Sequence, residues 1–495
     1  MIKFSLVVML LSVVWGSALG TELIVAVSTE PPSLDPTTNA AAAIDLLLHH
    51  NLYENLVQVD AHGELHGQLA ESWELSLDGL TYTFHLRDGI RFHDGQAGDA
   101  RAVKESFLRL LDPATGVPHP EYFRNLVAVE TVDRLTVRLV LDEAQPAFLP
   151  TLALGDAVVV APGADLASRP VGTGPFRFRS WQPGSRLVLE RNLDYYLPRA
   201  AEVDRVEFRF IPDPSAQLAA LQAGDVDMVA ELAPEVAAGL AGQAEFRVVS
   251  APQNLVQIMA VNTARRPFTD VKVRQALACA VHRQEIIDLV SFGYGTPIGS
   301  HLTPALPYYA DMTWVHPHDP QRARDLLAQA GLADGFTATL TLPENYPFHV
   351  RTGEVIAAQL RRVGLQVRLE LVDWGTWLDR VYGQADYDLT VIGHVGRLDP
   401  ALMLTGYGAD RREYYFRRGW ADPELERLLH LGGRPHNPEA RKAIYTVCQY
   451  IIAREAVNVF LQDPHRILAM RVEVTGVEVF PIYVLDLTAA RIQAG

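Results

Sequence analysis

Apolar residues recur along this chain in two rhythms, every second position in short runs and every third or fourth in longer ones. The first rhythm belongs to half-buried strands and the second to amphipathic helices. Thr21–Ser28 reads as a first strand, stopped by Pro31-Pro32-Ser33-Leu34-Asp35-Pro36. Tyr82, Phe84 and Leu86 alternate, Asp88-Gly89 turns the chain, and Ile90 and Phe92 alternate again, which predicts a hairpin over Leu75–Phe92. Asp99 is placed to cap a helix whose apolar face is Val103, Phe107 and Leu110. Leu135, Val137, Leu139 and Leu141 predict another strand, and Pro267–Val290 a long amphipathic helix. Beyond it the chain settles into strand–helix units: a helix after Asp319-Pro320, strands near Thr337–Leu342, Leu365–Val372 and Tyr387–Ile392, and a helix over Pro438–Glu455 leading to a strand at Val457. Such succession builds sheets covered by helices, an α/β class.

The first 20 residues stand apart. Lys3 precedes an apolar run from Phe4 to Trp15, and Ala18 and Gly20 are the small residues before a cut at Thr21. That is the pattern of a secretory signal peptide, and no cysteine near the cut offers a lipid anchor. The apolar run is short of the roughly 20 residues that a membrane span requires, and no later stretch supplies one.

Of 495 residues, 43 are basic and 59 acidic, a net charge of −16. That balance argues against nucleic acid and against an anionic membrane surface as partner, since both need clustered Lys and Arg. Cys279 and Cys448 are the two cysteines. Cys448 falls on the apolar face of its helix, so a buried free thiol is the plain reading; a disulfide would need the two Cα atoms within about 7 Å. The sequence has no GxSxG elbow, HExxH or phosphate-binding loop, and its histidine pairs lack a metal-ligand spacing. No catalytic residue, metal or cofactor is therefore assigned.

Several segments carry a resemblance. Leu69-Ala70-Glu71-Ser72-Trp73-Glu74 followed by Asp78 through Gly95 is similar to the signature of the family 5 extracellular solute-binding proteins, the peptide/nickel-type receptors of bacterial ABC importers. Tyr53-Glu54-Asn55-Leu56, Gly172-Thr173-Gly174-Pro175-Phe176, Gly224-Asp225-Val226-Asp227, Val261-Asn262, Val273-Arg274-Gln275-Ala276-Leu277 and Asp399-Pro400 extend the match in order along the chain. The resemblance implies a two-lobed periplasmic-binding-protein-like fold (type II, large cluster). The first lobe would cover 21–255 with an inserted subdomain at about 50–170, the second 256–464, and 465–495 would return to the first. It further implies a monomeric periplasmic receptor that closes on a small-molecule or peptide ligand and docks on an ABC permease driven by its ATPase.

The same resemblance suggests where a ligand would sit. Arg351 matches the arginine with which dipeptide-binding relatives hold a carboxylate, and a guanidinium fork suits that task. The place of the relatives' amine-binding aspartate falls on Gly396, which weakens that clamp. Asp399 is a candidate for the cleft or for capping the next helix. His394 and Arg397 stand where other pocket residues would, Trp374 and Trp377 are either cleft aromatics or core, and Ser33 and Leu34 are candidates in the first loop. Short peptides or a similar polar solute are the expected ligands; nickel chelates, sugars and opines are the alternatives within the family. An exported α/β hydrolase and a sensory receptor on the same scaffold are the competing classes.

Overall fold

A computed structural model describes residues 21–198, 201–408, 414–434 and 437–493. The signal-peptide segment 1–20 lies outside the described residues. One strand, Asn458–Arg471, organises the architecture. Its first part pairs with Leu255–Val261 and Gly295–Pro297, and its second part with Phe246–Pro252 and Met228–Val229. The sheet on one side continues through Leu389–Val395 to the parallel pair Thr337–Pro343 and Gln366–Val372. On the other side Glu22–Val27 runs parallel to both Met228–Val229 and Arg205–Phe210, and Arg186–Arg191 and Phe176–Gln182 complete the edge. Two lobes therefore share one 14-residue strand and a second crossing at Gln253-Asn254.

A separate four-stranded antiparallel sheet is inserted in the first lobe, built from Ala70–Leu75, Thr81–Leu86, Thr136–Leu141 and Leu126–Asp133. Tyr82, Phe84 and Leu86 face inward, as alternation requires. Helix Ala100–Leu111 covers this sheet, and Asp99 caps it by accepting from the amides of Arg101 and Ala102.

Two expectations are corrected. The hairpin partner of Thr81–Leu86 is the preceding strand Ala70–Leu75, turned at Asp78-Gly79, while Ile90 and Phe92 are buried outside any regular strand. Gly79 takes a φ of 74°, which a glycine adopts without strain. The long helix is two helices, Val271–Ala280 and Arg283–Val290. Val281 is extended between them, and the His282 ring caps the second by accepting from the Glu285 amide at 2.9 Å.

The family-like motifs pack on one another inside these elements. Buried Glu54 accepts hydrogen bonds from Thr173, Tyr195 and Tyr196. Gly172 leaves no room for a side chain, since a Cβ there would lie 2.0 Å from the Leu52 carbonyl oxygen. Both cysteines are free, Cys279 in the second-lobe core and Cys448 in a different cluster. No helix among the described residues is long and apolar enough to cross a membrane.

Candidate functional site

The two crossings come together at a buried carboxylate. Asp463 accepts from the amides of Gln253, Asn254 and Leu255 at 3.1–3.2 Å, pinning one connection to the other. Burial pushes its carboxyl up to about 7, against those three donors. Asn254 sits at φ 63°, takes Asp463 on its amide, and accepts from the Gly396 amide at 2.6 Å.

Above this junction a cavity of about 550 Å³ opens between the lobes. That volume is within the usual range for small-molecule sites. The first-lobe wall carries Asp45 from helix Ala42–Leu48, Asp156 from the turn Gly155–Ala157, and Tyr122. The opposite wall is the segment Val395 to Asp399, which follows strand Leu389–Val395. Arg466 and the C-terminal stretch Phe480 to Tyr483 complete the lining. A second cavity of about 480 Å³ lies beside it, walled by Trp73, Tyr82, Leu149 and Tyr308. Pro150 and Leu398 line both, so the two spaces adjoin.

The charges in the first cavity are unevenly served. Asp45 has no hydrogen-bond or ion-pair partner for its carboxylate among the described residues. Burial, helped by the nearby Asp156 charge, raises it to about 7. Burial also raises Asp156, opposed by His119 and Arg397. Arg466 is 5% exposed and donates through Nη1 to the Val484 carbonyl at 2.9 Å, while its buried Nε and Nη2 meet no acceptor. Its guanidinium lies 4.9 Å from the Tyr483 ring centroid, and burial lowers its affinity for a proton.

The residues singled out in the sequence divide unequally. Arg397 and Asp399 line the cavity. Arg397 donates to the Tyr122 hydroxyl on the opposite wall. Asp399 is fully buried, forms a two-pronged pair with Arg441 at 2.8 and 2.9 Å, and caps Pro400–Leu404 through the Ala401 amide. The other six are outside the lining. His394 alternates with exposed Val395 on its strand, so Val395 faces the cavity while His394 bonds to Tyr415 and stacks on His301. Trp377 is buried with Nε1 donating to Thr390, and Trp374 stacks on it at 5.0 Å. Leu34 is sealed in the first-lobe core, correcting its placement in the cleft, and the Ser33 hydroxyl accepts from the Asp35 amide. Arg351 is exposed on helix Pro347–Arg361.

Sequence reasoning missed Asp45, Tyr122, Asp156, Asn254 and Arg466. They come from five separate segments, none of which carries a motif. Gly396 was singled out as the place where an aspartate is lacking, and its geometry gives the reason: a Cβ there would lie 1.8 Å from Asn254 Oδ1. The Asn254 side chain occupies the space that a larger residue would need.

The profile of the bacterial extracellular solute-binding proteins, family 5 Middle, matches residues 64–413. The glutathione-binding protein GsiB of Pectobacterium atrosepticum is 28% identical over 500 residues, covering 96% of this chain and 94% of its own. That of Salmonella paratyphi A is 26% identical over 483 residues, covering 93% and 92%. Among solved structures, the binding protein AgaA of A. tumefaciens R10 in complex with agropinic acid superposes with a TM-score of 0.71 at 28% identity, covering 96% of this chain and 99% of its own. HbpA2 of Haemophilus parasuis superposes with a TM-score of 0.85 at 24% identity, covering 96% and 100%. With more than half of its length matched by the family profile, this chain belongs to the bacterial extracellular solute-binding proteins, family 5.

Proposed function

We propose that this chain is the periplasmic receptor of an ABC importer, a monomer that captures a short peptide or similar polar organic solute and delivers it to a membrane permease driven by an ATPase. The observation that carries the reading is the cavity between the lobes, walled by both and floored by their crossings. A solute there is gripped from two sides only when the lobes approach, so its tighter binding to the closed state drives closure. The relatives named for glutathione support a peptide-like ligand. The agropinic acid complex of a relative at 28% identity supports a second reading, an opine-like carboxylate. Relatives named as binding proteins support capture without turnover.

Calorimetry of the mature chain with glutathione, tripeptides and an opine tests this, joined to small-angle scattering. One-to-one binding with a smaller radius of gyration and no consumption of ligand is expected. An unchanged scattering curve and no heat across the panel, or hydrolysis of the bound solute, would refute it.

A further inference from the structure

We infer that Arg466 is the anion anchor of the cavity and that Asp45 and Asp156 on the first-lobe wall take a cationic group, so the solute is held as a zwitterion by residues of the first lobe and the crossing. This rests on the receptor reading above and goes beyond it in naming the charges and the groups that read them.

A buried guanidinium ordinarily satisfies its donors, because an orphaned donor in a dry interior forfeits its hydration. Arg466 leaves Nε and Nη2 without an acceptor. It lies opposite Ala251 on the shared strand, close to the crossing at Asp463, so its place is fixed by strand pairing. Its third nitrogen is held by the Val484 carbonyl and its face is covered by Tyr483. The Tyr483 hydroxyl in turn donates to Glu231 at 2.6 Å. Glu231 is the nearby negative charge felt by Arg466, but the two form no ion pair. Two parallel N–H groups in a fixed fork match a carboxylate. Arg466 and the Tyr483 ring that covers it both line the cavity, so a carboxylate would reach the two buried N–H groups from the cavity side by displacing that ring.

The first-lobe wall has the opposite shortage. Burial and the nearby Asp156 charge raise the proton affinity of Asp45, burial raises that of Asp156 against His119 and Arg397, and neither carboxylate belongs to an ion pair among the described residues. An ammonium between them relieves both. Gly155 is required for this arrangement, because a Cβ there would fall 2.0 Å from Asp45 Oδ1. On the second-lobe wall the Gly396 position has no room for a side chain, being closed by Asn254.

The test is a thermodynamic cycle on the mature chain, read by calorimetry. The probes are trialanine, trialanine amide and N-acetyl-trialanine, and the variants are Arg466→Gln, Arg466→Lys and Asp156→Asn, each first checked by thermal melting for a folded state. Removing the carboxylate from the probe and Arg466→Gln are each expected to cost at least about tenfold in affinity, and together little more than either alone, as for partners in one interaction. Acetylating the amine and Asp156→Asn are expected to couple in the same way. A merely structural Arg466 would weaken the acid and the amide by the same factor, and that result would overturn the assignment while leaving the receptor reading intact. If peptides do not bind, mass spectrometry of solute released from freshly purified protein decides: a solute without a carboxylate overturns the assignment. Absence of any bound or binding solute removes the receptor reading and this inference with it.

Discussion

Arg397 and Tyr122 meet across the cleft: the second-lobe guanidinium donates to the first-lobe hydroxyl and lies 5.7 Å from its ring centroid. The contact bridges the two lobes across the cavity, so it acts on their spacing as well as on the cavity wall. Tyr122→Phe removes the hydrogen bond and keeps the ring. About 1 kcal/mol is at stake, so affinity for a bound solute is expected to stay within about fivefold of wild type. Arg397→Ala also removes a charge from the wall and is expected to weaken binding of a carboxylate solute by about tenfold or more. Equal effects in calorimetry would mean that Arg397 acts only through Tyr122.

Asp399 illustrates how a cavity-lining residue can be chiefly a girder. Its carboxylate is fully buried against Arg441, whose guanidinium also lies over Tyr308 and Tyr445. Asp399→Ala strands that guanidinium and is expected to cost roughly 3–5 kcal/mol in urea unfolding. Asp399→Leu combined with Arg441→Met removes both charges and is expected to recover part of the loss. A single variant as stable as wild type would contradict the pairing.

Asp45 gives the pH dependence a sign. Its carboxyl is raised to about 7 in the folded protein from 3.8, so its contribution to stability is fully present below about pH 3.8 and is lost as the pH rises through 7. Buried His49 and His394, both lowered by burial, work in the opposite sense as acid is added. The comparison must therefore be made against a variant. Asp45→Asn is expected to gain in melting temperature relative to wild type between pH 5 and pH 8. A difference constant across that range would show that Asp45 titrates normally.

Gly396 and Asn254 compete for one space. Gly396→Ala places a Cβ on the Asn254 amide group, which is also held by Thr303. Overpacking of this kind typically costs about 1–3 kcal/mol. In an Asn254→Gly background, which clears the space and suits the positive φ, the same substitution is expected to cost under about 1 kcal/mol. Thermal or urea melts of the four proteins check this, and an equal cost in both backgrounds would dismiss the clash.

The residues that make the family legible are mostly scaffold. Glu54 and Thr173 bond to each other in the first lobe, Asn262 holds the Ala385 and Tyr387 carbonyls, and Arg274 holds those of Phe268 and Glu455. In this chain these side chains are committed to holding the scaffold together, so the motifs that read clearly in the sequence say little about the ligand. The break at Val281 was missed for a local reason: apolar spacing continues through it, and only the ring of His282 starts a new helix. The side on which His394 would lie was not legible either, since a strand sends successive side chains to opposite faces and the sequence does not say which face meets the cleft.

By itself, then, the sequence determined the α/β class, most of the strands and caps, and the family, because alternation, capping and tight turns act over a few residues. The tertiary structure alone decided the cavity. Asp45, Tyr122, Asp156, Asn254 and Arg466 belong to segments far apart in the chain, and each was unremarkable where it stood. They become neighbours only because one long strand carries two lobes, and the unmet charges that result are a property of that arrangement, with no signature in any one segment.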